Sequence, residues 1–319
     1  MISAKVICHS TYEGADVQDE LITLEVEFHR FILPELNTHR VLSRNYQSSR
    51  AVPVEKLIEQ IRYEPALPVH WGKNQRGMVA EQEVSEEHKV AARAMWENSA
   101  KIATTNAQAM LNYGVHKQLV NRLLEPFMWT RGVITATRAG WDSVFALRCH
   151  PDAQPEFQAL AYKMKEAIEA STPDVLRVGE WHLPYVNCYT KYLFGSDNLV
   201  LEETIYFTGE LWSEDMEIVS LEDAIKISTS CCAQVSYRQL DDSLEKAIKI
   251  YDMLNLPEGG KFKEAPAHMS PCEHQARVES LYDYGQNGDL SGNFGTLFGS
   301  VRWQQYRKIL EKGLEQDFI

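Results

Sequence analysis

From residue 22 to residue 29 the chain alternates, with Ile22, Leu24, Val26 and Phe28 on one side and Thr23, Glu25, Glu27 and His29 on the other. A period of two sets one side against a core and predicts a half-buried strand. Pro34 follows where a helix can begin, and Leu33, Leu36 and Arg40 fall near one helical face. Residues 38–50 therefore follow a strand-to-helix step and are expected to run on into a serine-rich loop. Residues 65–77, with Pro68, Trp71 and Gly72, read as irregular, and Ser85-Glu86-Glu87 opens a long helix that Tyr113-Gly114 ends. A second helix over about 116–125 would turn Leu119, Val120, Leu123 and Leu124 inward and leave Arg122 at its edge. Asp152 is the expected cap of a helix with Pro155 in its first turn and Phe157, Leu160, Ala161, Met164 and Ile168 as its buried stripe. Residues 198–208 read as strand, and Ser220-Leu221-Glu222-Asp223 as a capping box. Residues 242–254 form an amphipathic helix stopped by Pro257-Glu258-Gly259-Gly260, and a last helix starts near Val301. No repeat or low-complexity tract interrupts this order. The class is α+β, with helix outweighing strand.

Composition narrows the function more than the fold. At 319 residues and 44% hydrophobic content there is room for one large domain or two ordinary ones. No stretch approaches the about 18 apolar residues of a membrane span, and residues 1–8 lack a basic region followed by a long apolar run, so neither a span nor a secretory signal is expected. A net charge of -13 argues against a nucleic-acid polymer as partner, although arginines focused in a cleft still suit an isolated nucleotide. The six cysteines, Cys8, Cys149, Cys188, Cys231, Cys232 and Cys272, contain no C-x-x-C pair. They read as reduced thiols of a cytoplasmic protein (the host cytoplasm if the source is viral), with no metal site.

Two separated strings carry the chemistry. Thr38-His39-Arg40-Val41-Leu42-Ser43-Arg44-Asn45-Tyr46-Gln47-Ser48-Ser49-Arg50 resembles the R-H-R-x-x-S-x-N-x-x-S-x-R signature of the flavin-dependent thymidylate synthases, the ThyX family. Far downstream, His268-Met269-Ser270-Pro271-Cys272-Glu273-His274 resembles the family's H-x-[ST]-P-x-E-H flavin-site segment, which normally precedes that signature. Ala233-Gln234-Val235-Ser236-Tyr237-Arg238 resembles A-R-V-S-Y, a segment that also lies early in the family. The order implies a circular permutation in a larger, phage-like variant, tolerable where the original termini lie close together at the surface. Residues 1–195 would carry the signature and the nucleotide-binding arginines. Residues 196–319 would carry the permuted flavin segment and a C-terminal helix, the two parts forming one compact unit. The implied fold is ThyX-like, with helices around a mixed or antiparallel sheet.

What such ligands require can be set beside these residues. A phosphate needs guanidinium forks, hydroxyls and backbone N–H groups close together, and Ser48, Ser49 and Arg50 provide them in succession. The pyrophosphate and ring of a flavin need His and Arg donors, which His39 and Arg40 provide; the bland alternative makes these residues the polar surface of a capped helix. Asn121-Arg122-Leu123-Leu124-Glu125-Pro126 with Trp129-Thr130-Arg131 resembles the family's R-x-x-L-P…TR segment. It makes Arg122 a second phosphate ligand, or else a helix-surface arginine in a salt bridge. Trp141-Asp142-Ser143-Val144-Phe145-Ala146-Leu147-Arg148, followed by Ala153-Gln154-Pro155-Glu156, resembles N-x-x-x-L-R…A-Q-x-E-I. In the family that arginine lies beside the pyrimidine and favours ionisation at N3, since a fixed guanidinium stabilises negative charge developing on the ring. Arg148 is thus the candidate catalytic residue, unless it merely pairs with Asp142 or Asp152.

By resemblance, the nucleotide is expected on Glu35, Gln47, Ser48, Ser49, Arg50, Arg122 and Arg148. The flavin is expected on Thr38, His39, Arg40, Val41, Ser43, Asn45, Tyr46, Ser143, His268 and Glu273. The resemblance further implies FAD, NADPH and methylenetetrahydrofolate, reductive methylation of dUMP at C5, and a homotetramer with shared sites. Departures leave alternatives open. Thr38 replaces the first Arg of the signature, Tyr46 replaces a carboxylate, Ser143 replaces an Asn, and Thr137-Arg138-Ala139 stands where N-x-R is expected. One alternative is a flavin-dependent methylase or hydroxymethylase acting on dUMP or dCMP; another is a non-catalytic flavin- or nucleotide-binding protein. Cys149, beside Arg148 and His150, invites comparison with the cysteine nucleophile of the other thymidylate synthases.

Overall fold

The computed structural model describes residues 1–194, 200–236, 240–254, 269–279 and 302–317. Its strands are β1 (Ser3–Tyr12), β2 (Leu21–His29), β3 (Ser43–Tyr46), β4 (Trp129–Thr137), β5 (Asp174–Leu176), β6 (Trp181–His182), β7 (Asn187–Phe194), β8 (Val200–Thr208), β9 (Glu217–Val219), β10 (Ala276–Val278) and β11 (Trp303–Gln305). Its helices are α1 (Leu33–Leu36), α2 (Val54–Tyr63), α3 (Glu86–Asn112), α4 (Lys117–Val120), α5 (Arg138–Arg148), α6 (Pro155–Glu169), α7 (Leu221–Ala233), α8 (Leu244–Met253) and α9 (Tyr306–Asp317). The class is α+β, as the periodicities imply. The main sheet has the order β3-β4-β2-β1-β5; β1 and β5 run parallel and the other neighbours antiparallel. Among the described residues no helix is long and apolar enough to cross a membrane.

The alternating run becomes β2, second neighbour from the edge, and Ile22, Leu24, Val26 and Phe28 enter the largest core with α5 and α6. The stripe Phe157, Leu160, Ala161, Met164 and Ile168 of α6 covers that same face. The opposite face of β2 is buried at Thr23 and His29 and partly open at Glu25 and Glu27. Thr23 and His29 are fully enclosed; Thr23 Oγ1 meets Thr135 and His182, and His29 Nε2 meets the Leu67 carbonyl while its Nδ1 is buried without a partner. Enclosing a polar face is tolerable where most of its groups are so paired. A second core joins α2 and α3 to Val120, Leu124, Phe127 and Met128. A third joins the two ends of the chain: Tyr12, Leu21 and Leu176 pack with Ala276, Val278 and Trp303.

Several expectations shift by a few residues for local reasons. α1 stops at Leu36, so Arg40 lies beyond it, exposed in a turn. The expected serine-rich loop contains β3, because β4 offers a free edge and Ser43 to Tyr46 pair with Thr135 to Gly132. The helix expected over 116–125 breaks after Val120 into two 3-10 turns, the second holding Pro126, which lacks an N–H; Leu119 and Leu123 consequently face solvent while Val120 and Leu124 are buried. Gln154, not Asp152, caps α6, its side chain accepting from the Phe157 amide at 3.1 Å. The last helix begins at Tyr306, since Trp303 to Gln305 pair with β10 instead. Ser85 and Ser220 cap α3 and α7 as expected. The strand expected over 198–208 is seen from Val200, and the stop at residues 257–260 lies outside the described residues.

Pairing of Tyr46 with Gly132 has a steric cause. A Cβ at residue 132 would stand 2.3 Å from Cδ1 and 2.7 Å from Cε1 of the Tyr46 ring, which packs edge-on to Phe28. Gly132→Ala is therefore expected to lower stability by about 1–3 kcal/mol through overpacking. Its urea midpoint checks this; an unchanged midpoint would mean that the ring moves aside freely.

Candidate active site

The string at 38–50 has two ends separated by β3, a strand that at ~3.3 Å per residue is roughly 10 Å long. At the first end Arg148, the last residue of α5, donates from Nε to Nε2 of His39 at 2.8 Å, and from Nη2 to the Thr38 hydroxyl at 3.4 Å. Its guanidinium carbon lies 4.6 Å from the Phe157 ring centre, and the His39 ring meets the same phenyl edge-on. Because His39 Nε2 accepts, the imidazole is neutral with its proton on Nδ1. Burial, then Arg148, then Arg44 pull its pKa down to about 4. Arg148 pairs with neither Asp142, which holds Arg138 at 3.1 Å, nor Asp152, which lies 3.5 Å from His150. Among the described residues no carboxylate neutralises it, and Nη1 has no partner. Glu35, just upstream, keeps Oε2 out of solvent without a hydrogen-bond partner.

Arg44 fixes the loop between. Its Nη1 donates to the carbonyls of His39 at 2.6 Å and Leu42 at 3.2 Å, and its Nη2 donates to that of Asn37 at 3.2 Å. Arg40 and Arg50 are exposed instead.

At the second end Ser49, Arg30 and Arg122 converge on one carboxylate. Glu125 Oε1 accepts from Ser49 Oγ and Arg122 Nη1, both at 2.8 Å, and lies 3.7 Å from Arg30 Nη2. Buried Asn121 holds the loop in place, donating to the carbonyls of Ser49 at 2.5 Å and Val52 at 3.0 Å. Gln47 bonds through its backbone to Arg131 at 2.8 Å, and its carbonyl accepts from Arg30 at 3.0 Å. Beside Gln47 opens a cleft of about 540 Å³ whose wall includes Arg131, Glu27, Lys56 and Tyr63. Arg30 escaped the sequence reading because only its position after a strand marks it; Asn121 and Glu125 sat inside a quoted motif without a role.

The downstream string meets the upstream one at β3. Asn45 Nδ2 donates to the Cys232 carbonyl at 2.7 Å, and Ser270 Oγ donates to Asn45 Oδ1 at 3.2 Å. Gln305 Nε2 donates both to Ser43 Oγ at 3.1 Å and to the Glu273 carbonyl at 2.9 Å. Glu273 itself is ion-paired with Arg307. Ser43, Asn45 and Glu273 therefore tie chain segments together. Tyr46 turns into the core, its hydroxyl enclosed without a partner and its pKa raised by burial. Val41 is half-buried, whereas Thr38, Arg40 and Ser143 are exposed. Ser143 precedes Arg148 by five residues on α5, roughly 140° around the helix, so the two do not share a face. His268, Tyr237 and Arg238 lie outside the described residues. All six cysteines are unpaired. Burial pushes the Cys149 thiol up, which opposes the thiolate that its position beside Arg148 suggested.

Residues 18–174 match the family model described as Thymidylate synthase complementing protein. No curated protein matches the chain. Among solved structures, Thymidylate Synthase X from Helicobacter pylori with FAD and dUMP is 15% identical with a TM-score of 0.37, covering 52% of this chain and 93% of its own. The UMP/dUMP methylase PolB from Streptomyces cacaoi, bound with 5-Br dUMP, is 16% identical with a TM-score of 0.43, covering 53% and 90%.

The neutral His39 makes stability depend on pH. Its folded pKa of about 4 lies below the ordinary 6.5, so between those values the unfolded chain binds more protons and stability rises with pH. Thermal melts are expected to lose stability as pH falls from 6.5 towards 4. His39→Gln, whose amide oxygen can accept from Arg148, should flatten part of that slope; an unchanged slope would assign it to other groups.

Proposed function

With residues 18–174 belonging to the thymidylate synthase complementing protein family, we propose that the chain is a flavin-dependent methylase of pyrimidine nucleotides, methylating dUMP at C5 to dTMP. The observation that carries the reading is Arg148, a cation held by a neutral histidine and a phenyl ring, with no carboxylate among the described residues to cancel it. A guanidinium so fixed stabilises negative charge on a pyrimidine facing it without having to reorganise, and the charge enriches C5. His39 contributes by staying neutral: a protonated imidazole would repel Arg148 and turn an N–H towards it. The nucleotide's phosphate would take the donors at the other end of the string, Ser48, Ser49 and Arg50 with Arg122 and Arg30, and Gln47 would stand between phosphate and base. Glu35 would offer its unpartnered carboxylate oxygen to the ligand.

Thr38, Arg40 and Ser143 would contact FAD from this chain's surface, with Val41 beneath, while Ser43, Asn45 and Glu273 hold the two strings against each other. When bound, FAD would supply the redox chemistry, with NADPH as reductant and methylenetetrahydrofolate as carbon donor. A homotetramer, in which other copies complete the site, fits a surface cluster that one chain leaves open. The meeting of β3 with residues 232 and 270–274 is what a permuted order requires. A cytoplasmic location fits the six unpaired thiols.

Anaerobic turnover with FAD, NADPH, methylenetetrahydrofolate and either dUMP or dCMP, read by product mass, tests the reading. We expect one methyl gained on dUMP, a loss of roughly 10²–10³ in kcat for Arg148→Ala, and near-unchanged turnover for Cys149→Ala. Product from dCMP alone, or a hydroxymethyl mass, would replace dTMP formation with a modified base. Bound flavin with no product would leave a binding protein, and dependence on Cys149 would overturn the role of Arg148.

A further inference from the structure

The second end of the string contains a group that nothing in a phosphate site calls for. Glu125 places one carboxylate oxygen 2.8 Å from Ser49 Oγ and 2.8 Å from Arg122 Nη1, with Arg30 Nη2 at 3.7 Å. One hydroxyl and two guanidinium groups converging on a single anionic oxygen is the arrangement a phosphate oxygen takes. Arg30 leaves only 14% of its side chain exposed and is anchored to the Gln47 carbonyl at 3.0 Å. Glu125 is on a short leash, three residues from Arg122 within the 3-10 turns, and its side chain is 26% exposed. A carboxylate so placed can swing out to solvent, and a partly exposed ion pair resists little.

We infer that Glu125 is an internal occupant of the phosphate position, displaced when an anion binds. The inference rests on the nucleotide reading for the identity of the ligand, but on the contacts alone for the competition. Two consequences follow from the charges. In the empty site Glu125 holds Arg30 and Arg122 together against their mutual repulsion, so the donors stay arranged for an anion. In the occupied site a ligand must carry enough negative charge to expel it, so a phosphorylated ligand displaces Glu125 and a bare nucleoside does not. Glu125 is then a residue that sets specificity by competition.

Glu125→Gln separates this from a plain structural ion pair. The amide oxygen can still accept from Ser49 and Arg122, so the loop keeps its anchor, while the competing charge is gone. Calorimetric titration of the full-length protein with inorganic phosphate, dUMP and deoxyuridine at low ionic strength is the measurement. We expect inorganic phosphate and dUMP to bind about tenfold more tightly to the variant, the gain shrinking as salt rises, with deoxyuridine unchanged. Glu125→Ala, which needs no amide contact, should also tighten phosphate if the glutamine variant folds poorly. Phosphate affinity equal to or weaker than wild type in both variants overturns the inference. If inorganic phosphate binds more tightly to the variants and dUMP binds to neither protein, the competition stands and the nucleotide reading falls. If dUMP binds equally to wild type and variants, the nucleotide reading stands and the competition falls.

Discussion

Two threonine hydroxyls in the middle of the main sheet constrain most of what surrounds them. Thr23 of β2 and Thr135 of β4 are paired in register, and their Oγ1 atoms lie 2.7 Å apart in a fully buried position. One hydroxyl spends its proton on the other, so the accepting one still needs an acceptor and the donating one can still accept, and an unmet hydrogen bond there costs about 1–3 kcal/mol. Thr23 finds His182 at 2.8 Å, and Thr135 finds His274 at 2.8 Å; His182 in turn meets Ser10 at 2.9 Å. Burial pulls both imidazoles down to about 3, so they serve as neutral links. The polar row therefore fixes two remote segments against β2 and β4. Thr135 is also the register partner of Ser43, which sets β3, and β3 sets the spacing of the two ends of the candidate site.

The division of labour among arginines follows from that scaffold. A chain with a net charge of -13 does not attract an anion by its overall field, so attraction must come from local cations. Arg44 is consumed by three carbonyls of the loop, and Arg307 by Glu273 and Glu311. Arg148 remains uncancelled because its neighbour is a histidine that burial keeps neutral. The same loop thus contains a guanidinium spent on structure and positions an uncancelled one, and the difference lies in what each meets: backbone oxygen in one case, an imidazole nitrogen and a phenyl face in the other.

Much of this was legible in the residues. The strand at β2, the α6 stripe, the caps at Ser85 and Ser220, and the α+β class all rest on local periodicity and capping, which act within a few residues. The strings at 38–50 and 268–274 named the segments that meet, although His268 itself lies outside the described residues. What escaped was decided by tertiary pairing. β3 and β11 are too short to show a period and exist because β4 and β10 offer partners. Tyr46, expected against the flavin, turns inward because Gly132 leaves room for its ring. Arg30 and Glu125 gain meaning only when a strand end and a 3-10 turn come together.

The third core joins Tyr12, Leu21 and Leu176 to Trp303, whose indole donates to the Asp19 carbonyl at 2.7 Å. During synthesis the first of these surfaces leaves the ribosome long before its cover. At ~5–20 residues per second, the interval between β5 and β11 lasts on the order of ten seconds. Throughout it Leu21 and Tyr12 lack their tryptophan, and until residue 274 is made Thr135 lacks its histidine, long-range closures of the kind that slow folding. Between those two points the nascent sheet exposes apolar side chains that the finished protein covers, and such transiently exposed surface is what makes a folding chain prone to aggregate.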